Sequence, residues 1–291
     1  MESIAELRER VQAPVRKYND VAGVLVGDRV SIHVTRFFLQ LGLSPTVATL
    51  GMLVFGLAGS ALLPFGGAWS SVGFALVFVY YILDCVDGEV ARYHQREKLI
   101  FGFHDFLFHL YVKSAFFVCL GLHAVRVTGE SSVFFFPLAA LLAVLYQKFL
   151  NDLPLILTSR YILLRKDHER DHFVEQVLHG AAPGELAQDG ALPEDHRPVA
   201  YTRPLGLLRA ALTNFDLAVL LFLGASIADL VLGPFTVVAW PANCVVALAV
   251  FYGIVLPLDF LDHLRSHIRN RRFVLEARRL LRGAHQFHVD D

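Results

Sequence analysis

Two short stretches carry most of the chemistry in this chain. Residues 84–92 read DCVDGEVAR, and residues 104–109 read HDFLFH. On a helix, Asp84 and Asp87 stand at i,i+3, so their carboxylates share a face. Gly88 and Ala91 lie on or beside that face, and their small size lets a ligand or a second helix approach the backbone closely. Arg92, one turn past Gly88, is placed to meet a phosphate oxygen. Asp105 and His109 stand at i,i+4 and share a face of their own, which Lys113 extends by one turn. Three carboxylates converging from two consecutive helices would suit a hard divalent cation with oxygen ligands, Mg2+ or Mn2+. Two such ions about 4 Å apart would clamp a phosphoryl group during its displacement. Taken singly, each aspartate near a helix end reads more readily as solvated or ion-paired. As a set they agree in spacing, type and depth.

The elements that must position these residues are membrane helices. Of the 291 residues, 55% are hydrophobic and only 18% charged. Mean hydropathy is +0.50. Soluble domains carry about 25% charged residues. The composition predicts an all-α integral membrane protein, a six-transmembrane-helix bundle with juxtamembrane amphipathic helices. A span needs roughly 20 mainly apolar residues, and candidates fall at about 45–65, 69–90, 99–124, 132–160, 208–232 and 235–262. Backbone groups in lipid must be paired internally, which favours helices. The runs are also too long for barrel strands, which alternate over about 10 residues. The formal net charge of −1 gives no global basic excess for nucleic acid. Cys85, Cys119 and Cys244 sit in apolar runs without a CxxC pair and read as buried residues. The charged first forty residues lack an apolar signal core, so no cleavable signal peptide is expected. No internal repeat or low-complexity tract stands out.

Basic residues set the expected orientation. They cluster before the first span (Arg8, Arg10, Arg16, Lys17, Arg29, Arg36), after the second (Arg92, Arg96, Lys98), between the fourth and fifth, and in the tail. Only Arg126 falls on the other side. Both termini and the acidic motif are therefore expected to be cytoplasmic. The expected divisions are an N-terminal juxtamembrane segment, 1–40; a transmembrane domain, 41–262, with a cytoplasmic insert at 166–204; and a basic C-terminal segment, 263–291. Residues 2–18 and 263–283 alternate basic and apolar positions at helical spacing, as interfacial helices or ordinary positive flanks do. The insert carries His168, His172, His179 and His196 at spacings that match no metal pattern, so a solvated loop with a short helix near 167–179 is expected.

The run from Asp84 through Arg92, with Asp105 beyond, resembles the signature of the CDP-alcohol phosphotransferase family, D-x2-D-G-x2-A-R-x8-G-x3-D-x3-D. LSPTVATL, 43–50, is similar to the family's opening of the first span, with Thr46 and Thr49 at the matching polar positions. The resemblance covers roughly 40–262 apart from the insert. It implies a membrane enzyme in phospholipid or related biosynthesis. In the implied reaction a metal pair binds the diphosphate of a CDP-activated alcohol, such as CDP-diacylglycerol. An acceptor hydroxyl attacks the phosphorus bearing the alcohol, and CMP leaves. Asp84, Asp87 and Asp105 become metal ligands. Gly88, Ala91 and Arg92 would line the nucleotide and diphosphate site, with Thr46 and Thr49 as further candidates. The family also implies a homodimer, and the cell inner membrane is the expected location.

Two positions depart from the pattern. Phe101 stands where the glycine is expected, and Gly102 follows. His109 replaces the fourth aspartate, which in the family is the base and touches metal. A neutral imidazole can serve as base or ligand at neutral pH. It brings no negative charge, so the site would hold two cations less strongly, or only one. His109 is thus the candidate base and a candidate ligand. Lys113 could bind acceptor phosphate, balance Asp105 or form a structural ion pair.

Further polar residues lie near the same membrane level: Lys148, Asn151, Asp152 and Arg160 on the fourth span, Asn214 and Asp216 on the fifth, Asp259 and Asp262 on the sixth. They could wall an acceptor chamber or bond between helices. Lys113, Lys148, Arg160, Arg203 and Arg209 are the candidates for holding an anionic acceptor. Asp229, near the outer end of span five, reads as solvated. The competing classes are a membrane transporter and a family relative with lost or altered chemistry. A transporter explains intramembrane acids but not the Gly-Ala-Arg context of Asp87, and no repeated halves with interrupted helices are evident.

Overall fold

A computed structural model describes residues 2–15, 23–94, 99–164, 209, 212–233, 235–237 and 240–269. Eight α-helices are described: α1 (Ile4–Val11), α2 (Asp28–Gln40), α3 (Pro45–Leu62), α4 (Gly67–His94), α5 (Leu99–Thr128), α6 (Phe135–Leu164), α7 (Phe215–Leu232) and α8 (Cys244–Arg269). The last six are long and apolar enough to cross a membrane, so the chain is an all-α integral membrane protein with six candidate spans. The insert 166–204, including Arg203, and the tail beyond 269 lie outside the described residues.

The chain divides into two compact units, residues 1–141 with 196–256 and residues 142–195 with 257–291. In the first, α4 is the hub, packing against α2, α3 and α7, while α5 packs on α3. Phe74 of α4 stacks on Phe222 of α7 at 5.5 Å. Phe116 of α5 meets both rings edge-on, at 6.1 and 5.8 Å. These aromatic side chains are buried and lock three helices together without polar groups. At the opposite end from the acidic motif, α3 and α4 approach through Gly59 and Gly73. A Cβ on Gly59 would lie 2.6 Å from the Gly73 carbonyl oxygen.

Local signals explain the helix ends. Ser3 and Glu6 form a reciprocal capping box at the start of α1. The Ser3 amide, donating to Glu6, holds that carboxyl below the usual glutamate range. Pro45 opens α3 from an extended Ser44. Asn214 caps α7 by accepting from the Leu217 amide at 2.8 Å. Gly233, at φ +71°, closes α7 in a conformation that favours glycine.

Three boundaries differ from the sequence expectation. Span five starts at Phe215, not near 208, because Asn214 takes the capping role. The run 235–262 is not one helix: Phe235–Val237 and Trp240–Ala242 pair as a short antiparallel hairpin before α8 begins. The amphipathic stretch expected over 2–18 is helical over Ile4–Val11. Its apolar face, Leu7 and Val11, is buried against Ile32, with Leu39 and Tyr93 around it.

Candidate functional site

The acidic residues occupy the last three turns of α4. Asp84 and Asp87 are half-buried there, with Gly88 and Ala91 beside them. Two other helices turn polar groups toward them. From α5, His109 Nε2 lies 3.0 Å from Asp84 Oδ1, the two side chains being 20% and 29% exposed. From α3, Thr49 Oγ1 lies 3.1 Å from both Asp87 Oδ2 and the Pro45 carbonyl oxygen. The hydroxyl carries one proton, so it serves one acceptor at a time. Thr46, one turn earlier in sequence, is exposed.

An ionised carboxylate only accepts hydrogen bonds. Its contact with His109 therefore makes Nε2 the proton-bearing nitrogen whenever Asp84 is ionised. The other nitrogen, Nδ1, meets the Tyr80 hydroxyl at 2.5 Å. Tyr80 stands one turn before Asp84 on α4 and is only 1% exposed. Its ring also meets the imidazole edge-on at 5.8 Å. Tyr80, His109 and Asp84 thus form a chain in which both ring nitrogens have partners. Tyr80 escapes sequence reading because a tyrosine within VFVYYILDC looks like core.

Arg92 is turned back along α4. Its guanidinium lies over Gly88, where a Cβ would meet Nη1 at 3.1 Å. Its Nε donates to the Val11 carbonyl at 2.7 Å. Within the motif sits Glu89, 2% exposed. Oε1 accepts from Gln12 at 2.8 Å and Ser31 at 2.5 Å, and Oε2 from Thr35 at 2.6 Å. A helical stripe of Ile82, Val86, Glu89 and Val90 was the available signal: an acid placed among inward-facing apolar residues.

Asp105 lies on α5 one turn before His109, but its side chain is outside the described set, as is that of Arg160 on α6. Lys113 is half-buried, with Nζ 5.1 Å from the centroid of the Phe215 ring, a cation–π arrangement. Arg209 is exposed, and its carbonyl accepts from Thr213. In the second unit, Lys148 pairs with Asp152 at 3.4 Å, and His263 donates to Asn151 at 3.0 Å. Asp229 is not simply solvated: it caps α8, accepting from the Cys244 and Val245 amides at 2.6 and 3.2 Å.

The donor set is chemically suited to a hard divalent ion: two half-exposed carboxylates on one helix face, an imidazole and a hydroxyl. Among the described residues, no three His, Cys, Asp or Glu groups are already spaced to grip one ion. The fold and site together define a six-span α-helical membrane protein with a polar, acidic cluster built by three of its spans. No family model matches the chain, and no curated protein matches it.

Proposed function

We propose that this chain is a membrane phosphotransferase. It moves a substituted phosphate from a CDP-activated alcohol to an acceptor hydroxyl and releases CMP, in phospholipid or related synthesis. The observation that carries this reading is the meeting of three helices at the DCVDGEVAR motif. Thr49 reaches Asp87 from α3, and His109 reaches Asp84 from α5. The motif residues are thereby grouped as a site and not scattered as separate surface charges.

In the reaction, the acceptor oxygen bonds to the phosphorus that carries the alcohol. The bond from that phosphorus to the CMP oxygen breaks, and CMP leaves with the electron pair. Asp84, Asp87 and Asp105, with His109, would hold one or two Mg2+ or Mn2+ ions, whose charge when bound neutralises the diphosphate and favours departure of CMP. Gly88 and Ala91 leave room beside the carboxylates for the donor. Arg92 offers guanidinium donors to diphosphate oxygens, and Thr46 and Thr49 flank the nucleotide. His109 takes the acceptor proton in its other tautomer, with Nδ1–H donating to the Tyr80 hydroxyl oxygen and the bare Nε2 turned from Asp84 to the acceptor hydroxyl. Lys113, Lys148, Arg160, Arg203 and Arg209 are the candidates for an anionic acceptor. The distribution of basic residues supports a cytoplasmic site and cytoplasmic termini; the proposed location is the cell inner membrane, and the family resemblance supports a homodimer.

The engagement of both His109 nitrogens favours a second reading, in which the ring orients Asp84 and takes no proton. The deciding experiment screens purified protein against CDP-alcohols and acceptors, with CMP release as readout and Asp87→Ala as blank. Mg2+- or Mn2+-dependent CMP release is expected. Failure of every pair to release CMP, or vesicle flux without CMP, would overturn phosphotransfer.

A further inference from the structure

Glu89 is a buried acid that the reaction above does not use. We infer that Glu89 is a positioning residue that latches α1 and α2 onto the motif helix, and thereby sets the Arg92 guanidinium beside the acidic site. This rests on the phosphotransfer reading of that site.

The argument starts from cost. A carboxyl group out of water is tolerated only when its oxygens are satisfied. Here three side chains supply the donors: Gln12, at the C-terminal cap of α1, and Ser31 and Thr35 of α2. Gln12 also donates to the Asp28 carbonyl at 2.8 Å, tying the end of α1 to the start of α2. The next link is covalent. Gln12 follows Val11, the last residue of α1, and the carbonyl of Val11 accepts from Arg92 Nε. Such C-terminal carbonyls lack helical partners and favour a cation.

The result is a closed loop. Glu89 and Arg92 lie one turn apart on α4; Val11 ends α1 and Gln12 is the residue that follows it. Fixing Gln12 on Glu89 fixes the carbonyl that holds Arg92. The guanidinium is thereby kept over Gly88, on the side of the helix that bears Asp84 and Asp87. Arg10 adds a second clasp, its guanidinium 4.3 Å from the Tyr93 ring centroid. The N-terminal helices are therefore part of the site, although none of their side chains need touch substrate.

The test is a double-mutant cycle on the full chain in nanodiscs, read as KM for the CDP-alcohol, KM for the acceptor, and kcat. Glu89→Ala and Gln12→Ala are each expected to raise donor KM about tenfold, with acceptor KM unchanged. Arg92→Ala is expected to raise it at least as much, and Glu89→Ala is expected to add little in the Arg92→Ala background. Thr35→Val, which removes one donor without opening a cavity, covers the case in which Glu89→Ala does not fold, and should show a smaller donor-specific rise. Additive losses, or equal effects on both substrates, would overturn the inference and leave phosphotransfer standing. Wild-type protein that releases no CMP overturns the phosphotransfer reading first, and this inference with it.

Discussion

His109 and Asp84 face each other across α4 and α5, with Nε2 3.0 Å from Oδ1. This contact joins an imidazole on α5 to the first acid of the DCVDGEVAR stretch on α4. It also sets two roles for the imidazole against each other. If His109 is the base, His109→Ala should cut CMP release by about 100-fold or more while donor binding is largely kept. His109→Asp, which restores a carboxylate, should retain part of the activity. Full turnover in His109→Ala would remove the base role.

Tyr80 fixes the far side of the same ring. Tyr80→Phe deletes the hydroxyl at Nδ1 with little change in shape. The expected cost is about 1 kcal/mol of stability, together with a fall in kcat that leaves donor KM nearly unchanged. Thermal unfolding in detergent and steady-state CMP release measure the two effects. An unaltered kcat would mean that ring orientation does not matter to turnover.

Chelation should silence the protein reversibly. EDTA is expected to abolish CMP release, and Mg2+ or Mn2+ to restore it, with Asp87→Ala beyond rescue. Thr49→Val, which removes the hydroxyl 3.1 Å from Asp87, should raise the cation concentration needed for half activity. Activity indifferent to EDTA would contradict the cation-dependent form of the reaction.

The approach of α3 to α4 is limited by Gly59. Its Cβ would fall 2.6 Å from the Gly73 carbonyl oxygen and 2.9 Å from Val77. Gly59→Ala should therefore destabilise the fold by about 1–3 kcal/mol, seen as a lower unfolding temperature. The acidic site lies toward the other end of the same helices, so kcat in the surviving folded protein should change little.

Residues joined by helical periodicity are legible in the sequence. Asp84, Asp87, Gly88 and Arg92 lie within nine positions, and their shared face follows from 3.6 residues per turn. The six spans are legible because lipid demands long apolar runs. Contacts that close over long sequence distances are not. Gln12 and Glu89 are 77 residues apart, and nothing in either local sequence names the other. Asp229 looks like an outer-end acid, yet it meets the Cys244 and Val245 amides at the start of α8, just after the paired strands Phe235–Val237 and Trp240–Ala242. That hairpin is itself hidden, since its residues continue the apolar run of the following span. Only Pro241 and Asn243, just before α8, hint at the break.

The length of α4 has a consequence for where two unlike reactants could meet. Its 28 residues, rising about 1.5 Å each, reach roughly 42 Å, whereas a hydrocarbon core is about 30 Å thick. A helix entering the bilayer at Gly67 would emerge near Val86. Asp87 through His94 would then stand in the headgroup layer, and Asp84 just beneath it. The helix would act as a ruler, setting the acids at the depth where an oil-soluble molecule ends and a water-soluble one begins. A substrate with greasy chains could slide in sideways, its polar partner could diffuse in from above, and neither would need to leave its own solvent.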